Sequence, residues 1–506
     1  MMDAKNLHML QSRANMASGN AREEEMPMDE YLGICRKYIE ARLPKEYYTD
    51  AFGGAQERED YMRNLITEFI SGAPTRVKGY VNRDNTINTN QLASDLSDLV
   101  QGLGILKLAF DDPEIDEIQI NDYKTIFVTR KGVLEPYIDN TGRPLMFSCN
   151  DDIIALLNRI VNDGSGTAPT INPGNPIFNA KTAKEQYRIN AVHPVANTAN
   201  PNSEVKEVTS VVIRKFKEVK LQLEDLIKYG TVTDKMGDFI RMLGKAEIKI
   251  FCVGPTGSGK TTLLNIVVNV IPPERRIILV QNPTEITIFD LDVNGRNKRN
   301  AVHWEVYEDG STEDKGNKAN MPNLISNTLR ATPEVIIVGE SRAPQEFQQL
   351  QRAAMTGHRV LSTFHAEDDM DAIDRFASEL SSAQGSSLTE AKMAACRTMN
   401  VVITQYRFAN GDRRIMSISE ILGYKDGAPV INQIFRYRLT GEVEIDERNG
   451  LKRPKGVFEF VNPISEQLEQ GFYKAGISRD ELLPFLKEGW NADNSPYYST
   501  PRREEG

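Results

Sequence analysis

Cysteine is scarce. The 506 residues hold four, Cys35, Cys149, Cys252 and Cys396, too far apart to form a CxxC pair. Neither a zinc ribbon nor a disulfide framework is supported, which leaves free thiols in a reducing compartment. Long apolar runs are missing as well. No stretch approaches the ~18 consecutive apolar residues a membrane span needs, and runs such as 335–338 are only strand-sized. The first 28 residues are polar and lack the apolar centre of a signal peptide, so the chain is expected to stay in the cytoplasm. Positive charge is also short, with 61 Lys and Arg against 71 Asp and Glu and a net charge of −10. The global field of a protein that grips nucleic acid by its phosphates is therefore absent, and only a local basic groove stays open. What is present is ordinary globular material, 40% hydrophobic and 26% charged, long enough for about two to four domains.

Texture changes along the chain. Residues 1–27 read as a flexible tail. In 28–97, Tyr31, Leu32, Ile34, Cys35, Tyr38 and Ile39 recur at helical spacing, and 61–70 is a second helix, ended by Gly72, Ala73 and Pro74. This region reads as a helical adaptor. Over 98–220, strand signals near Ile115, Ile118 and Ile120, then Ile126, Phe127 and Val128, precede an amphipathic stretch at 152–161 and strands at 187–192 and 209–214. They predict a small α/β domain. A helical linker, 221–243, leads into 244–425, where strands at 248–253, 276–280, 334–338 and 359–363 alternate with helices. That alternation predicts a mostly parallel sheet flanked by helices. Residues 309–320 read as a polar loop. The remainder, 426–506, reads as a C-terminal extension of short strands, Gly-rich turns and a helical end over 478–490.

Within the alternating region, Gly254, Pro255, Thr256, Gly257, Ser258, Gly259, Lys260 and Thr261 fill G-x-x-x-x-G-K-[ST] at every position. A strand signal runs in and an apolar helix signal, beginning at Thr262, runs out. In such a loop the backbone N–H groups point at phosphates, and the helix N-terminus adds partial positive charge. Lys260 is assigned to the β- and γ-phosphates and Thr261, through its hydroxyl, to Mg²⁺. A glycine-rich turn without a ligand is the plain alternative, and the flanking strand and helix count against it.

A phosphate loop alone does not separate kinases, GTPases, ATPases and transporters. Glu340 narrows the choice. It follows the apolar run 335–338, at the strand end where ligands bind in open α/β sheets. There it would polarise an attacking water, directly or through a Mg²⁺-bound water, and it joins Thr261 as a metal-site residue. His365, at the end of the next strand, is placed to read the γ-phosphate. His358 divides evenly between such a role and a structural one. His8, His193 and His303 read as structural.

Taken as a set, 254–262 (GPTGSGKTT), 335–342 (VIIVGESR), 356–358 (TGH) and 364–366 (FHA) resemble the secretion and traffic ATPases of type II secretion, type IV pili and type IV secretion. Residues 112–121, 187–192, 213–216 and 223–226 are similar to the branch serving Flp/Tad-type (tight-adherence) pili and the related type IV secretion ATPases. The lack of a tetra-cysteine zinc module points the same way. The resemblance implies a RecA-like P-loop NTPase core preceded by a small α/β N-terminal domain. It also implies ATP and Mg²⁺ as ligands, a homo-oligomeric ring, usually a hexamer, and docking beneath an inner-membrane platform protein. Membrane contact would come only through partners, at the inner face of the cytoplasmic membrane. Arg188 and Arg214 match the N-terminal-domain arginines that reach the phosphates.

Three departures accompany the resemblance. The family's acidic box Glu-Asp-x-x-Glu-Leu reads Gln281-Asn-Pro-Thr-Glu-Ile286 here, so only Glu285 remains as an acid, and slower turnover is expected. Its Leu-Arg-x-Arg segment reads Leu329-Arg330-Ala331-Thr332, and the spacing from Arg342 to Thr356 is about one residue longer than is usual in that branch. The expected function is ATP hydrolysis that powers pilus assembly or secretion. The alternatives are a conjugative DNA-transfer ATPase or other nucleic-acid motor, and a nucleotide-gated scaffold with weak hydrolysis. Stable nucleic-acid binding is not expected. An ABC transporter ATPase is disfavoured, because no LSGGQ-like signature follows the phosphate loop.

Overall fold

The structure is a computed structural model. It describes residues 221–282, 290–306, 319–448 and 450–489 without interruption, 284–288, the greater part of 55–215, and scattered positions between 26 and 44. The expected tail falls outside the described residues except for Met26, as do most of the polar loop 309–320 and Trp490. Two compact units are present, Met1–Glu218 and Val219–Gly506.

Among the described residues, the first unit carries two cores. One gathers Tyr31, Cys35 and Ile39 against Met62, Ile66 and Phe69 of the helix Ala55–Gly72, the helical repeat seen in the sequence. The other lies under a six-stranded antiparallel sheet. Its strands are β1 (Ile115–Asp122), β2 (Thr125–Arg130), β3 (Val133–Pro136), β4 (Ile177–Lys181), β5 (Tyr187–Val192) and β6 (Ser210–Lys215), in the order β3-β2-β1-β6-β5-β4. Ile118 and Ile120 of β1, Ile189 of β5 and Ile213 of β6 share a core with Ile153, Leu156 and Leu157 of the helix Asn150–Val161.

The second unit is built on nine strands: β7 (Ile250–Val253), β8 (Ile277–Gln281), β9 (Ala301–Glu305), β10 (Val335–Val338), β11 (Arg359–Phe364), β12 (Val401–Arg407), β13 (Arg413–Lys425), β14 (Ala428–Ile445) and β15 (Lys452–Phe460). They lie in the order β15-β14-β13-β12-β7-β11-β10-β8-β9. From β12 to β9 every pairing is parallel, and β13 to β15 add an antiparallel flank. The fold class is the expected α/β one, a large mostly parallel sheet. Strands β7, β8, β10 and β11 are buried along their whole length. Helices cover both faces of such strands, which is why they read as unbroken apolar runs.

Three features differ from the sequence reading. Strands β9 and β12 join the parallel set without having been anticipated. Residues 428–460 form long strands that continue the core sheet, not short ones. The segments on either side of that sheet also close on one another. Phe239, in the expected linker, lies 5.6 Å from the ring of Phe435, 5.9 Å from Phe472 and 5.2 Å from Phe485. Buried aromatic clusters of this kind dominate local packing energy, so linker and C-terminal segment share one core with β7 and β12. Among the described residues, no helix is long and apolar enough to cross a membrane.

Candidate active site

Parallel pairing of β7, β11 and β10 brings three C-terminal strand ends side by side. Each carries one predicted group. After β7 comes the loop 254–259, and Lys260 opens the helix Lys260–Val270 with Gly259 as its N-cap. His365 follows β11, and Glu340 follows β10 by two residues. The sheet therefore assembles the site from segments as much as 105 residues apart.

Lys260 Nζ donates to the carbonyls of Gly254 and Pro255, each at 2.9 Å, and lies 3.4 Å from His365 Nδ1. On the other side of the ring, His365 Nε2 lies 3.0 Å from Glu340 Oε1. Arg342 donates to the remaining carboxylate oxygen, Oε2, at 2.5 Å. The three side chains form one chain of contacts, Lys260–His365–Glu340, closed by Arg342. Burial pushes the His365 pKa below its ordinary 6.5, and the Lys260 charge adds to this against the pull of Glu340. A neutral ring with its proton on Nε2 satisfies both neighbours, because Nε2–H donates to Glu340 while Nδ1 accepts from the ammonium.

The charges around this ring are also perturbed. Burial raises the Glu340 pKa, but Arg342 by hydrogen bond and charge, His365 and Lys260 outweigh it and leave the carboxyl below its usual range. Burial lowers the Lys260 pKa against the pull of Glu340 and Glu285. Glu340 is thus an anion with only 23% of its side chain exposed, the state required of a group that orients water.

The loop itself fits a phosphate cradle. A Cβ added at Gly254 would sit 2.0 Å from the carbonyl oxygen of Gln405 on β12 and 2.8 Å from Ser258 Oγ. Ser258 Oγ of the loop and Gln405 Oε1 of β12 are buried with no hydrogen-bond partner among the described residues, so the loop and the strand beside it hold polar atoms left for another ligand or another rotamer. Thr261 is half-buried in the first turn of the helix and Thr262 is exposed beside it.

The other predicted residues fall into three groups. Gln281 faces its own loop: its Oε1 accepts from the N–H groups of Glu285 and Ile286, both at 3.0 Å, and its Nε2 donates to the Ile286 carbonyl at 3.0 Å. An acid there could not make the last bond. Glu285 is exposed, and its charge acts on Lys260 and Arg342. Arg188 and Arg214 belong to the first unit, where the register of β5 and β6 sets them directly opposite each other. Arg214 Nε pairs with Glu117 Oε2 at 2.7 Å. His358 stands before β11, at the opposite end from His365, roughly a 20 Å strand length away, and lies 3.0 Å from Thr356 Oγ1. His193 accepts from the Val195 N–H and caps a short turn.

Three side chains of the site were not weighed in the sequence. Arg342 lies two residues past Glu340 in the VGESR run, and the sequence carries no signal for it beyond that proximity. Arg407 and Arg413 end β12 and begin β13, and are cross-strand partners. The Asn410-Gly411 turn between them is a hairpin signal that would have paired them.

The family model described as "Type II/IV secretion system protein" matches residues 179–412. An uncharacterised Methanocaldococcus jannaschii protein, MJ1287, is 30% identical over 215 residues, covering 42% of this chain and 74% of its own. A second from the same organism, MJ0900, is 27% identical over 414 residues, 77% of this chain and 68% of its own. The type II secretion system ATPase E of Vibrio cholerae is 32% identical over 152 residues, which is 30% of this chain and 27% of that protein.

Proposed function

Because the chain belongs to the type II/IV secretion system protein family, we propose that it is an ATPase that powers a membrane secretion or pilus-assembly machine. The observation that carries this reading is the Lys260–His365–Glu340 chain at three adjacent strand ends. A phosphate-binding lysine and an ionised acid that positions water are parts that hydrolysis of a terminal phosphoryl group uses, and here a histidine stands between them.

The loop amides and Lys260 bind the triphosphate. Lys260 exchanges the carbonyls of Gly254 and Pro255 for β- and γ-phosphate oxygens. Glu340 orients the attacking water and accepts its proton. His365, between the two, registers whether the γ-phosphate is present, because Lys260 cannot serve the phosphate and the ring with the same geometry. Thr261 would hold Mg²⁺ through its hydroxyl, with Glu340 behind the metal's waters, and the ion supplies neutralising charge for the phosphates. Glu285, exposed on the β8 side, adds the remaining acid of that segment.

At the finer level, the reading is a hexameric ring at the inner face of the cytoplasmic membrane, docked on a multi-span platform protein. In this reading Arg188 and Arg214 would also serve the nucleotide's phosphates. The segments at 112–121 and 213–216 favour the Flp/Tad-type and type IV secretion branch within the family.

Two substitutions test the chemistry. Lys260→Ala is expected to abolish nucleotide binding. Glu340→Gln is expected to bind ATP while turnover falls by about 10²–10⁴, the usual contribution of a positioned base. Wild-type hydrolysis in both variants would overturn the assignment. Capture with tagged Glu340→Gln protein in its ATP state tests the machine: recovery of a multi-span platform protein with pilins supports the pilus reading, and recovery of relaxase and coupling proteins replaces it with conjugation.

A further inference from the structure

We propose that Arg407 and Arg413 hold the purine end of the nucleotide, gripping in cis the part of the ligand that the phosphate loop leaves uncovered. The inference rests on the ATPase reading above and extends it to the nucleoside.

Sheet order supplies the direction. Strand β7 lies between β11 on one side and β12 on the other. Glu340 and His365 stand on the β11–β10 side, so the γ end of a bound triphosphate points there. The ligand's other end then leaves the loop on the β12 side. Strand β12 is parallel to β7, so its C-terminal end lies level with the loop. Arg407 ends β12 and Arg413 begins β13, opposite each other in register.

Both arginines lie against the loop. A Cβ added at Gly257 would be 3.4 Å from Arg407 Nη1, and one added at Gly259 would be 3.1 Å from Arg413 Cδ. Arg413 Nε donates to the Gly257 carbonyl at 3.3 Å. This resembles the way Lys260 rests on the carbonyls of Gly254 and Pro255. Two planar guanidinium groups against the loop's outer flank offer faces on which a purine can stack, a use to which lysine is poorly suited.

The turn that carries them is braced. The Asp412 side chain, 8% exposed, makes ion pairs with Arg414 at 3.1 Å, with Arg453 at 3.0 Å and with Arg448. Asp446 is fully buried and pairs with Arg453 at 2.7 Å, while Asn410 Nδ2 donates to its Oδ2 at 2.9 Å. These bonds tie the turn between β12 and β13 to the β14–β15 connection. A braced turn presents its arginines with little ordering cost on binding.

The test compares two ligands that share phosphates and differ in the nucleoside. Binding of MgATP and of inorganic tripolyphosphate is measured by calorimetry on the full chain, for the wild type, Arg407→Gln, Arg413→Gln and the double variant, with thermal melts to confirm folding. The double variant is expected to lose about tenfold more affinity for ATP than for tripolyphosphate. Arg413→Lys should behave like Arg413→Gln toward ATP, because the charge is kept and the plane is lost. Parallel weakening of both ligands would assign the arginines to loop support and overturn the proposal, as would unchanged ATP binding or full rescue by lysine. A wild-type chain that binds neither ligand would overturn the phosphate-loop reading itself. That outcome is distinguishable, because it appears before any arginine is changed.

Discussion

Gly254→Ala joins the fold to the site in one measurement. Gly254 has φ +149°, a region L side chains rarely adopt, and its Cβ position lies 2.0 Å from the Gln405 carbonyl oxygen. That oxygen belongs to the backbone of β12, a central strand paired with both β7 and β13, so it cannot swing aside as a flexible side chain would. Two costs add. Holding a non-glycine residue in such a conformation costs about 1–3 kcal/mol, and overpacking against fixed atoms costs about 1–3 kcal/mol more. Gly385 provides the control. It is the C-cap of the helix Asp369–Gln384 at φ +66°, with nothing within 4 Å of an added Cβ, so Gly385→Ala carries only the ~1 kcal/mol left-handed penalty. Denaturant unfolding should therefore separate the variants by about 1–5 kcal/mol. Nucleotide binding should fail in Gly254→Ala and survive in Gly385→Ala. Equal destabilisation, or wild-type ATP binding by Gly254→Ala, would refute the argument that the loop is set by its approach to β12.

The remaining predictions concern titration and the helix that bridges into the sheet. Burial first, and then Lys260, hold the His365 pKa below 6.5, so the neutral ring persists down to that pH. Native stability should fall as pH drops below 6.5, because the unfolded chain then binds a proton that the folded site resists, while kcat/KM should fall only at lower pH, where the folded ring itself takes up the proton. In His365→Gln this acid limb should flatten, and an unchanged profile would remove His365 from the site. Arg359 is 3% exposed and donates to the carbonyls of Leu243 at 2.9 Å, Gly244 at 3.1 Å and Ile248 at 3.1 Å. Burial lowers its pKa to about 10, which leaves it charged at neutral pH. Arg359→Met should lower unfolding free energy by about 3–5 kcal/mol, since three buried acceptors lose their donor. A shift under about 1 kcal/mol would show that water replaces the guanidinium there.

The parts of the candidate site that were legible in the sequence share one property: their chemistry sits beside a local signal. Lys260 stands in a motif between a strand and a helix, and Glu340 ends an unbroken apolar run. His365 ends another strand. Parallel order then brings the three together, which is why strand ends alone located them. The missed parts depend on pairing between distant or polar segments. Strand β9 is only half-buried throughout, so it lacks an apolar run. Beyond Tyr437, β14 is exposed through to its end, so its length comes from hydrogen bonding to β15 and leaves no mark in hydropathy.

Gln281 shows why a departure from a family pattern needs the backbone before it can be interpreted. By residue type it is a lost acid. In the structure its amide donates once and accepts twice within the loop that follows β8, and a Cβ at Gly339 would approach its Cβ at 3.0 Å. Both ends of the amide are committed, and the neighbouring strand leaves little room for another rotamer. Glu at this position would keep the two acceptor bonds but leave the buried Ile286 carbonyl without its donor, at a cost of about 1–3 kcal/mol. Restoring the acid should therefore loosen the loop that carries Glu285 instead of raising turnover. The acids that act on Lys260 are Glu340 and Glu285, so the rate should be governed by those two, with Gln281 setting where the second one stands.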